Sequence, residues 1–579
     1  MSKTLLTRTL AVAGLAVATI AAPAAAQSVE LEFLGRYETG AFDEGAAEIV
    51  VYDADSGLAF VTNANANTVD ALDISDPSNP TLSFTIDLAA FGAGVNSVAV
   101  SGGRVAVAVE AEVKQDRGSV VFFDTRGRFQ SAVTVGALPD MVTFTPDGRN
   151  LLVANEGEPN DEYTVDPEGS VSIIRMRGWR APRQFDVRTV RFGGIDRDDL
   201  DPSVRIFGPG ATIAQDLEPE YIAVDADSRK AYVACQENNA ILVIDVRRAR
   251  ITDIWGLGVK NHNRAANAMD VSNRDDEINI TTWPVFGIRQ PDSIATFDNG
   301  WDTFVVTANE GDSRDYDGFS EEERVGDIVL DPDAFPGAAR LQLEENLGRL
   351  NITTTAGDPD GDGDFDRLFS YGARSFSIFD SEGNLVFDSG DDLEQITARL
   401  LPDDFNSTND ENGSFDARSD DKGPEPEALT VGSLGDRTYA FVGAERIGGI
   451  FVYDITDPYE PTFESYNTSR DYSGAPTLGT ASDLAPEGLA NNSAEARPPG
   501  AALLLAAHEV SGTTAIYRVL GGGCSLFGDV NGDCSVDFLD FFAVLAALGP
   551  CGGCPEDLND DGRVDLFDVL LVFRAIRDQ

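Results

Sequence analysis

The chain has 579 residues and a formal net charge of −55, from 98 acidic and 43 basic side chains. Such a charge repels nucleic acid and anionic membranes and so excludes both as partners, whereas it favours divalent cations. The length exceeds that of one ordinary domain, unless a repeated unit closes on itself.

Residues 1–26 have the pattern of a secretory signal peptide. Lys3 and Arg8 precede an apolar run over residues 10–22, and Ala24-Ala25-Ala26 is typical of a cleavage site. The run is too short to span a bilayer, which needs about 20 apolar residues, and no later stretch reaches that length. We expect a secreted, soluble protein without a membrane span, located outside the cell, at its surface or in the periplasm.

Residues 27–520 repeat one unit, in which an acidic residue opens an apolar strand and a second strand ends in a polar or acidic tag. Clear copies begin at Asp140, Glu220, Asp292, Glu427 and Glu487, and degenerate copies cover residues 48–63 and 97–110. The starts at 48, 97 and 140 are 49 and 43 residues apart. A propeller blade of four strands repeats every ~40–50 residues, so the pattern predicts an all-β fold, a seven-bladed β-propeller.

Residues 29–37 alternate apolar and polar side chains, as a half-buried strand does. The last repeat unit stops after three strands, near residues 516–519. We therefore expect the N-terminal strand to complete the last blade, because this removes two exposed sheet edges.

Long polar insertions interrupt the repeat at residues 158–166, 191–215, 260–280 and 313–366. Loops of this length in a compact fold are usually functional or disordered. A further polar stretch, residues 403–422, is predicted to be a solvated loop.

Antiparallel pairing predicts that the start of each first strand and the end of each second strand lie at one face of the ring. The pairs are Asp140 with Glu156, Glu220 with Glu237, Asp292 with Glu310, Glu427 with Glu445, and Glu487 with Glu509. Like charges this close raise one another's pKa unless a cation neutralises them. Two interpretations of this funnel stay open: it holds metal, or hydrogen bonds to blade backbones and arginines hold its carboxylates.

Four residues lie next to the ring in sequence and are candidate contacts for an anion bridged by metal, as in a phosphoesterase: Arg314, Arg446, His262 and His508. The two histidines are the only ones in the chain. The sequence has no Gly-x-Ser-x-Gly elbow, P-loop or His-Glu-x-x-His motif, and no catalytic residue is assigned.

The acidic segment 358–366 has the spacing of a calcium loop. Asp358, Asp360, Asp362 and Asp366 occupy positions 1, 3, 5 and 9, with Gly363 at position 6. This spacing predicts a calcium hairpin, and a flexible acidic turn is the alternative.

After a glycine linker at 521–523, residues 524–579 form a predicted second domain with two calcium loops 28 residues apart. The ligands are Asp529, Asn531, Asp533, Ser535, Asp537 and Asp540, then Asp557, Asn559, Asp561, Arg563, Asp565 and Asp568, with carbonyls from Ser535 and Arg563. An apolar helix is predicted after each loop, at residues 538–548 and 566–576. The domain resembles the dockerin domain, a small α-helical domain with paired calcium loops, and the resemblance implies a cohesin-like partner.

Four of the five cysteines crowd this second domain: Cys524, Cys534, Cys551 and Cys554. In an exported protein they are predicted to form disulfides, with a four-thiolate zinc site as the alternative. Cys235 lies inside a predicted strand and is expected to be a buried free thiol.

Several motifs in order, ANEGEPND (154–161), the segment 260–295, ANEGDSRDY (308–316), the segment 357–380 and GPEPEALTVG (423–432), resemble the choice-of-anchor I family. The resemblance spans about residues 29–520. The family comprises secreted bacterial proteins, similar to mesenchyme-specific cell-surface glycoproteins, that end in varied anchoring modules. The resemblance implies a seven-bladed, YVTN-like propeller on an exchangeable anchor.

Two classes of function are consistent with these patterns. The favoured hypothesis is a calcium-binding propeller displayed through a dockerin, acting as a binding or scaffold protein with a small-molecule or glycan ligand at the propeller face. The alternative is a metal-dependent phosphoesterase, similar to alkaline phosphatases or phytases, with cations in the acidic funnel. A dockerin-borne accessory role in polysaccharide degradation is a further alternative.

Overall fold

The computed structural model describes residues 28–178, 180–492 and 502–521, together with 528, 530, 536, 538–550, 554, 556–559 and 562–578. The predicted signal peptide lies outside these residues. The described part is mostly β-structure, and its largest elements are seven antiparallel sheets of four strands each.

The sheets follow one another along the chain and are numbered here in that order. Sheet 1 holds Val50–Asp53, Leu58–Asn63, Thr68–Asp73 and Thr81–Asp87; sheet 2 holds Val95–Ser101, Arg104–Val109, Arg117–Asp124 and Phe129–Ala137; sheet 3 holds Pro139–Phe144, Asn150–Asn155, Ser170–Arg175 and Val187–Arg191. Sheet 4 holds Ile222–Val224, Lys230–Cys235, Ala240–Asp245 and Arg250–Gly256; sheet 5 holds Ile294–Asp298, Thr303–Asn309, Ser375–Phe379 and Leu385–Asp388. Sheet 6 holds Pro426–Leu434, Arg437–Ala444, Ile450–Asp454 and Thr462–Asn467; sheet 7 holds Pro486–Asn492, Leu503–His508, Thr513–Leu520 and the N-terminal strand Glu30–Glu38.

The smaller elements lie in the insertions and near the C-terminus. The short strands are Val259–Asn261, Val285–Ile288, Asp315–Tyr316, Phe319–Ser320, Glu322–Arg324, Asn351–Thr353, Leu368–Ser370, Gly549–Pro550 and Arg563–Val564. The α-helices are Ile213–Asp216, Ala338–Leu341, Asp392–Leu400, Phe538–Ala546 and Leu566–Asp578, and short 3-10 helices include Gln184–Asp186. Among the described residues, every helix is too short or too polar to cross a membrane.

The seven sheets are arranged in a closed cycle. The first strand of each sheet contacts the first strand of the next, and sheet 7 contacts sheet 1. Each neighbouring pair of sheets shares one cluster of buried apolar side chains. Central strands such as Arg104–Val109 are buried along their whole length, because each of their faces packs against another sheet.

The N-terminal strand closes the cycle. Glu30–Glu38 pairs antiparallel with Thr513–Leu520, with Glu30 opposite Leu520 and Glu38 opposite Thr513. The expected completion of the last sheet by the first strand is therefore confirmed. The pairing satisfies backbone N–H and C=O groups that would otherwise be exposed at the edges of both strands.

Two of the long insertions have a core of their own, and the expectation for segment 403–422 needs correction. Insertions 260–280 and 313–366 form an ordered unit with its own apolar cluster, which includes Met269, Trp283 and Leu347. Segment 403–422 is not a solvated loop, since Asn406 and Ser419 are fully buried and the Asn406 amide donates to Glu394 and to Ser419. Burial of Asn406 and Ser419 is possible because other parts of the fold and the segment itself supply these hydrogen bonds.

The two C-terminal helices occur where the apolar periodicity predicts them. Phe538–Ala546 and Leu566–Asp578 pack on each other through a small cluster that includes Val544 and Val572. The two predicted helices are therefore confirmed.

Candidate functional site

The strand register brings the carboxylate tags to one face of the ring. In sheet 3, Pro139 lies opposite Asn155, which places Asp140 and Glu156 at the same end. In sheets 6 and 7, Pro426 lies opposite Ala444 and Pro486 opposite His508, with the same consequence. In these sheets the start of the first strand therefore lies beside the end of the second strand, as predicted.

The tags from different sheets converge on a central cavity of about 330 Å³. Together with the ammonium of Lys114, carboxylates that belong to or adjoin five of the sheets line it: Glu48, Glu110, Asp140, Glu156, Asp292 and Glu487. We define the acidic funnel as Glu48, Asp140, Glu156, Glu220, Glu237, Asp292, Glu310, Glu427, Glu445, Glu487 and Glu509. Glu48 was missed as a site residue, although it opens a degenerate copy at the equivalent repeat position.

Burial and mutual repulsion raise the pKa of several funnel carboxylates. Burial, with repulsion from Glu509 and Asp140, raises the pKa of Glu48 to about 8. Burial raises the pKa of Asp140 to about 7, although Lys114 opposes the shift. The same two causes, burial first and then neighbouring carboxylates, raise the pKa well above its usual range for Glu156, Glu220, Asp292, Glu427 and Glu487.

One arc of the funnel is neutralised from within the protein. The Lys422 ammonium lies 2.7 Å from Glu310 and 3.1 Å from Glu425, a buried carboxylate beside the funnel. The Arg446 guanidinium lies 3.1 Å from both Glu425 and Glu445. Burial alone would raise the pKa of Glu425, but Lys422, Arg418 and Arg446 hold it well below its usual range. Here the second interpretation, carboxylates held by internal partners, applies.

The adjacent part of the funnel has fewer such partners: Lys422 and Gln236 hold Glu310, whereas among the described residues no lysine or arginine forms an ion pair with Asp292 or Glu427. Carboxylate oxygens of Asp292, Glu310 and Glu427 all lie within 4.8 Å of one another. Among the described residues, Glu427 Oε2 and Glu487 Oε2 are buried without a hydrogen-bond partner, as is Glu237 Oε2. Calcium binds oxygen ligands at about 2.3–2.6 Å. Two oxygens on opposite sides of the ion are therefore separated by about twice that length, which is close to the 4.8 Å limit of this cluster. The donor set and its spacing therefore fit a calcium ion.

The two arginines expected to contact an anion have internal partners instead. Arg314 is fully buried, and its guanidinium binds the carboxylates of Asp216 and Glu218. Arg446 binds Glu425 and Glu445, as described above. The Arg314 guanidinium is enclosed by these carboxylates, whereas Arg446 uses Nε for its carboxylates, donates from Nη1 to Asn409 and is 27% exposed.

The two histidines are also interior groups. His262 Nδ1 lies 2.8 Å from the Asn267 carbonyl oxygen, and burial, together with Lys260 and Arg374, lowers the pKa of His262 to about 3. Burial likewise lowers the pKa of His508. Both rings are neutral at physiological pH and carry no charge that would attract an anion.

The acidic segment 358–366 brings together three of its four predicted ligands. Carboxylate oxygens of Asp358, Asp360 and Asp366 lie within 4.8 Å of one another. Asp358 accepts hydrogen bonds from the amides of Gly361 and Gly363, at 2.7 and 3.1 Å. The fourth, Asp362, is not part of this cluster.

The C-terminal loops show matching geometry at their last ligand position. Asp540 accepts a hydrogen bond from the Val530 amide at 2.9 Å, and Asp568 accepts one from the Leu558 amide at 2.9 Å. Asp557 accepts from the Gly562 amide at 2.8 Å, and Asn559, Arg563 and Asp565 are also among the described residues. The ligands Asp529, Asn531, Asp533, Ser535, Asp537 and Asp561 lie outside them, so calcium binding here stays a prediction.

Of the five cysteines, Cys235 and Cys554 are among the described residues. Cys524, Cys534 and Cys551 lie outside the described residues, and the pairing of these three and Cys554 stays a prediction. Cys235 is fully buried in the strand Lys230–Cys235 and is a free thiol, as expected.

Comparison with known proteins gives one family and two relatives. A family model described as Choice-of-anchor I domain matches residues 48–458. Gigasin-3a of Magallana gigas is 35% identical over 197 residues, which cover 31% of this chain and 67% of that protein. Mesenchyme-specific cell surface glycoprotein of Strongylocentrotus purpuratus is 28% identical over 303 residues, covering 45% of this chain and 38% of that protein.

Solved structures with similar architecture are remote in sequence. Kuenenia stuttgartiensis hydrazine synthase aligns with a TM-score of 0.42 and 11% identity, over 83% of this chain and 99% of the other. The structure of streptogramin B lyase aligns with a TM-score of 0.42 and 9% identity, over 85% and 98%. The β-propeller domain of Myceliophteria thermophila Cps50 (Swd1) aligns with a TM-score of 0.40 and 9% identity, over 85% and 100%.

Proposed function

Because the chain belongs to the choice-of-anchor I family, we propose that it is a secreted or surface-anchored binding or scaffold protein. Its body is a seven-bladed β-propeller, in which the seven sheets are the blades. The acidic funnel binds calcium at the propeller face. A dockerin-like domain at residues 524–579 attaches the propeller to a cohesin-like partner.

The cluster of Asp292, Glu310 and Glu427 is the observation that carries this proposal. Buried carboxylates without partners are costly, and they become favourable when a cation neutralises them. Within this cluster Lys422 supplies a positive charge to Glu310, whereas Asp292 and Glu427 form no ion pair among the described residues, and their ionised forms would need a bound cation. A bound calcium ion would complete this neutralisation and fix the geometry of the propeller face.

The internal pairing of Arg314 and Arg446 favours a binding role over phosphate ester hydrolysis. A phosphoesterase needs positive groups or metal ions that face the substrate phosphate. Both arginines direct their donors at buried carboxylates instead. The funnel is therefore better suited to holding a cation than to holding a phosphate group directly.

The C-terminal domain supports the proposed attachment role. Phe542 in the first helix, and Phe567, Leu570 and Phe573 in the second, are about half exposed or more. Large apolar side chains grouped on a small domain favour a protein interface. The partner class follows from the dockerin resemblance, and calcium in the two loops would hold the helices in position.

Calcium titration of the full chain tests the proposal. We expect the double substitution Asp292→Asn/Glu427→Gln to remove one class of sites from the isothermal titration, because both neutral side chains lose their attraction for the ion. A matched variant, Asp358→Asn/Asp360→Asn, should remove a different site and leave the funnel site intact.

An unchanged isotherm in the funnel variant would refute the calcium funnel. Hydrolysis of p-nitrophenyl phosphate that requires calcium and disappears in the same variant would replace the binding role with the phosphoesterase alternative. Thermal unfolding of each variant shows whether the loss comes from the site or from the fold.

A further inference from the structure

The face of the ring opposite the acidic funnel carries a cluster of arginines. Residues 175–191 contain six arginines and one acidic residue, in a chain whose net charge is −55. In sheet 3, Arg175 lies opposite Asn150, the start of the second strand, whereas the tag Glu156 follows the end of that strand. The turn between the third and fourth strands therefore lies on the face away from the funnel.

This turn borders a cavity of about 740 Å³. The lining includes Gln130, Ser131, Arg177, Arg180, Arg183 and Phe185, which we call the arginine cavity. The side chains of the three arginines are exposed to solvent. Ligand sites for small molecules have volumes of about 300–1,000 Å³, so this cavity has room for one or two sugar rings.

Buried contacts fix the shape of the arginine cavity. The guanidinium of Arg104, which is nearly buried, donates to Gln130 Oε1 at 3.0 Å and to the Gly178 carbonyl at 3.3 Å. The buried carboxylate of Asp186 accepts from the Arg177 guanidinium and, at 3.2 Å, from the Arg183 amide. An arginine-bearing loop that is held on both sides is preorganised, which lowers the entropic cost of binding a ligand.

A second anchor joins the loop to the neighbouring sheet. The Gln184 amide donates to the Thr134 carbonyl oxygen and accepts from the Thr134 amide, each at 2.9 Å. Thr134 belongs to the outer strand of sheet 2, so the loop bridges two sheets. The loop that borders the arginine cavity is therefore held in place by hydrogen bonds to two strands of sheet 2.

An aromatic ring accompanies the positive charges. Phe185 is 69% exposed, and the Arg177 guanidinium lies 5.6 Å from its ring centroid. Among the described residues, the Ser131 hydroxyl at the cavity wall is buried without a hydrogen-bond partner. A ligand that carries anionic groups, an apolar ring face and hydroxyl groups would satisfy all three features.

We propose that the arginine cavity binds an acidic saccharide, whose carboxylate or sulfate groups contact Arg180 and Arg183 and whose ring packs on Phe185. Arginine forms paired hydrogen bonds to planar oxyanions more effectively than lysine does. The long-range repulsion of a chain with charge −55 penalises a long polyanion such as nucleic acid more than a short acidic oligosaccharide, which carries few charges. This site is separate from the funnel, and it remains if the funnel binds no calcium.

Isothermal titration of the full chain at constant free calcium tests the site. The probes are a galacturonate trisaccharide, a chondroitin sulfate tetrasaccharide and neutral maltotriose. We expect the acidic probes to bind and the neutral one not to bind. Binding of the galacturonate probe would show that carboxylates suffice, whereas binding of chondroitin sulfate alone, which carries carboxylates and sulfates, would show that sulfate is required. Affinity should fall as salt is raised, because exposed charges are screened.

The double variant Arg180→Ala/Arg183→Ala should weaken binding at least tenfold. A matched double variant of exposed arginines elsewhere, Arg126→Ala/Arg399→Ala, should bind as the wild type does. Arg183→Lys should give an intermediate loss, since lysine keeps the charge without the paired geometry. The funnel variant Asp292→Asn/Glu427→Gln should leave saccharide binding unchanged.

Three results would overturn the proposal. One is equal binding of neutral and acidic probes, and another is binding that survives loss of both arginines in a folded variant. The third is self-association in sedimentation experiments that disappears in Arg180→Ala/Arg183→Ala without any saccharide binding, which would assign the cavity to the acidic surface of a second copy.

Discussion

The ammonium of Lys422 lies 2.7 Å from the carboxylate of Glu310, two residues that are 112 positions apart in the chain. Lys422 ends the segment 403–422, and it is held in place because that segment is packed rather than solvated. The contact supplies a positive charge to one side of the acidic funnel, beside Asp292 and Glu427, which form no ion pair among the described residues. We expect the stability of the funnel and its proposed calcium affinity to depend on this arrangement.

Replacing Lys422 by methionine should destabilise the fold in the absence of calcium. Removing one partner of a buried ion pair typically costs about 3–5 kcal/mol, because the other charge stays buried. Urea unfolding in EDTA measures the loss, and excess calcium should restore part of it. The control is Lys230→Met at an exposed lysine; equal stability of the two variants would contradict the assigned role.

The metal-free protein should lose stability as the pH rises from about 7 to 9. The folded-state pKa values of Glu48 and Asp140, about 8 and about 7, exceed the ordinary value of about 4. Folding therefore favours their protonated forms, and this stabilisation is complete at low pH and disappears as the pH rises through the folded pKa. We expect the free energy of unfolding to fall by at least ~1.4 kcal/mol, the equivalent of one pKa unit.

Urea titrations in EDTA across this pH range measure the effect, and calcium should flatten the slope by binding the ionised carboxylates. His262 does not interfere, because its pKa of about 3 in the fold affects stability only at acidic pH. Glu48→Gln should reduce the slope, whereas Glu382→Gln at an exposed position should not. A slope that is the same in both variants would argue against the funnel as its source.

Shortening Leu31 should loosen the closure of the ring. Leu31 belongs to the closing strand and packs in the cluster shared by sheets 6 and 7. Truncating a buried leucine to alanine costs about 2–5 kcal/mol through lost contacts and the cavity that remains. Glu30→Ala, at the exposed neighbouring position, should cost little by the same thermal or urea measurement; similar losses would show that the strand is not a closing element.

Removing the Asp568 carboxylate should uncouple the C-terminal helices from calcium. Asp568 accepts hydrogen bonds from the amides of Leu558 and Asp565, at 2.9 and 2.8 Å, at the start of the last helix. We expect calcium to increase the helical circular-dichroism signal of the wild type and to increase it less in Asp568→Ala. Glu556→Gln, just before the loop, is the control, and an unchanged calcium response in Asp568→Ala would count against the predicted loop.

The sequence predicted a large part of the acidic funnel because the relevant signals are local. An acidic residue such as Asp140 directly precedes an apolar strand, and Glu156 directly follows the next strand. Pairing of consecutive strands is the commonest arrangement, so the sequence alone predicts that the two carboxylates lie close together. Glu48 was not predicted because the first copy of the repeat is degenerate and its strand is short. Glu48 nevertheless occupies the position in the repeat that Asp140 occupies in the third copy.

The partners of these carboxylates could not be predicted in the same way. Lys422 and Arg314 each reach carboxylates about 100 residues away, and no sequence periodicity marks such contacts. Arg314 therefore looked available to an anion, and segment 403–422 looked solvated. Burial of a polar group depends on whether a partner is present, and the partner here comes from another part of the chain.

The sequence by itself determined the repeated strand pattern, the closing strand and the end of each sheet at which the tags lie. Those features follow from the alternation of apolar and polar residues along each strand and from the pairing of strands that are consecutive in the chain. Only the tertiary structure decided which charges are paired inside the protein and where other charged side chains gather, at the cluster of Asp292, Glu310 and Glu427 and around the arginine cavity. The physical reason is that electrostatic free energy depends on distance and burial in three dimensions, and neither quantity is encoded by the spacing of residues along one strand.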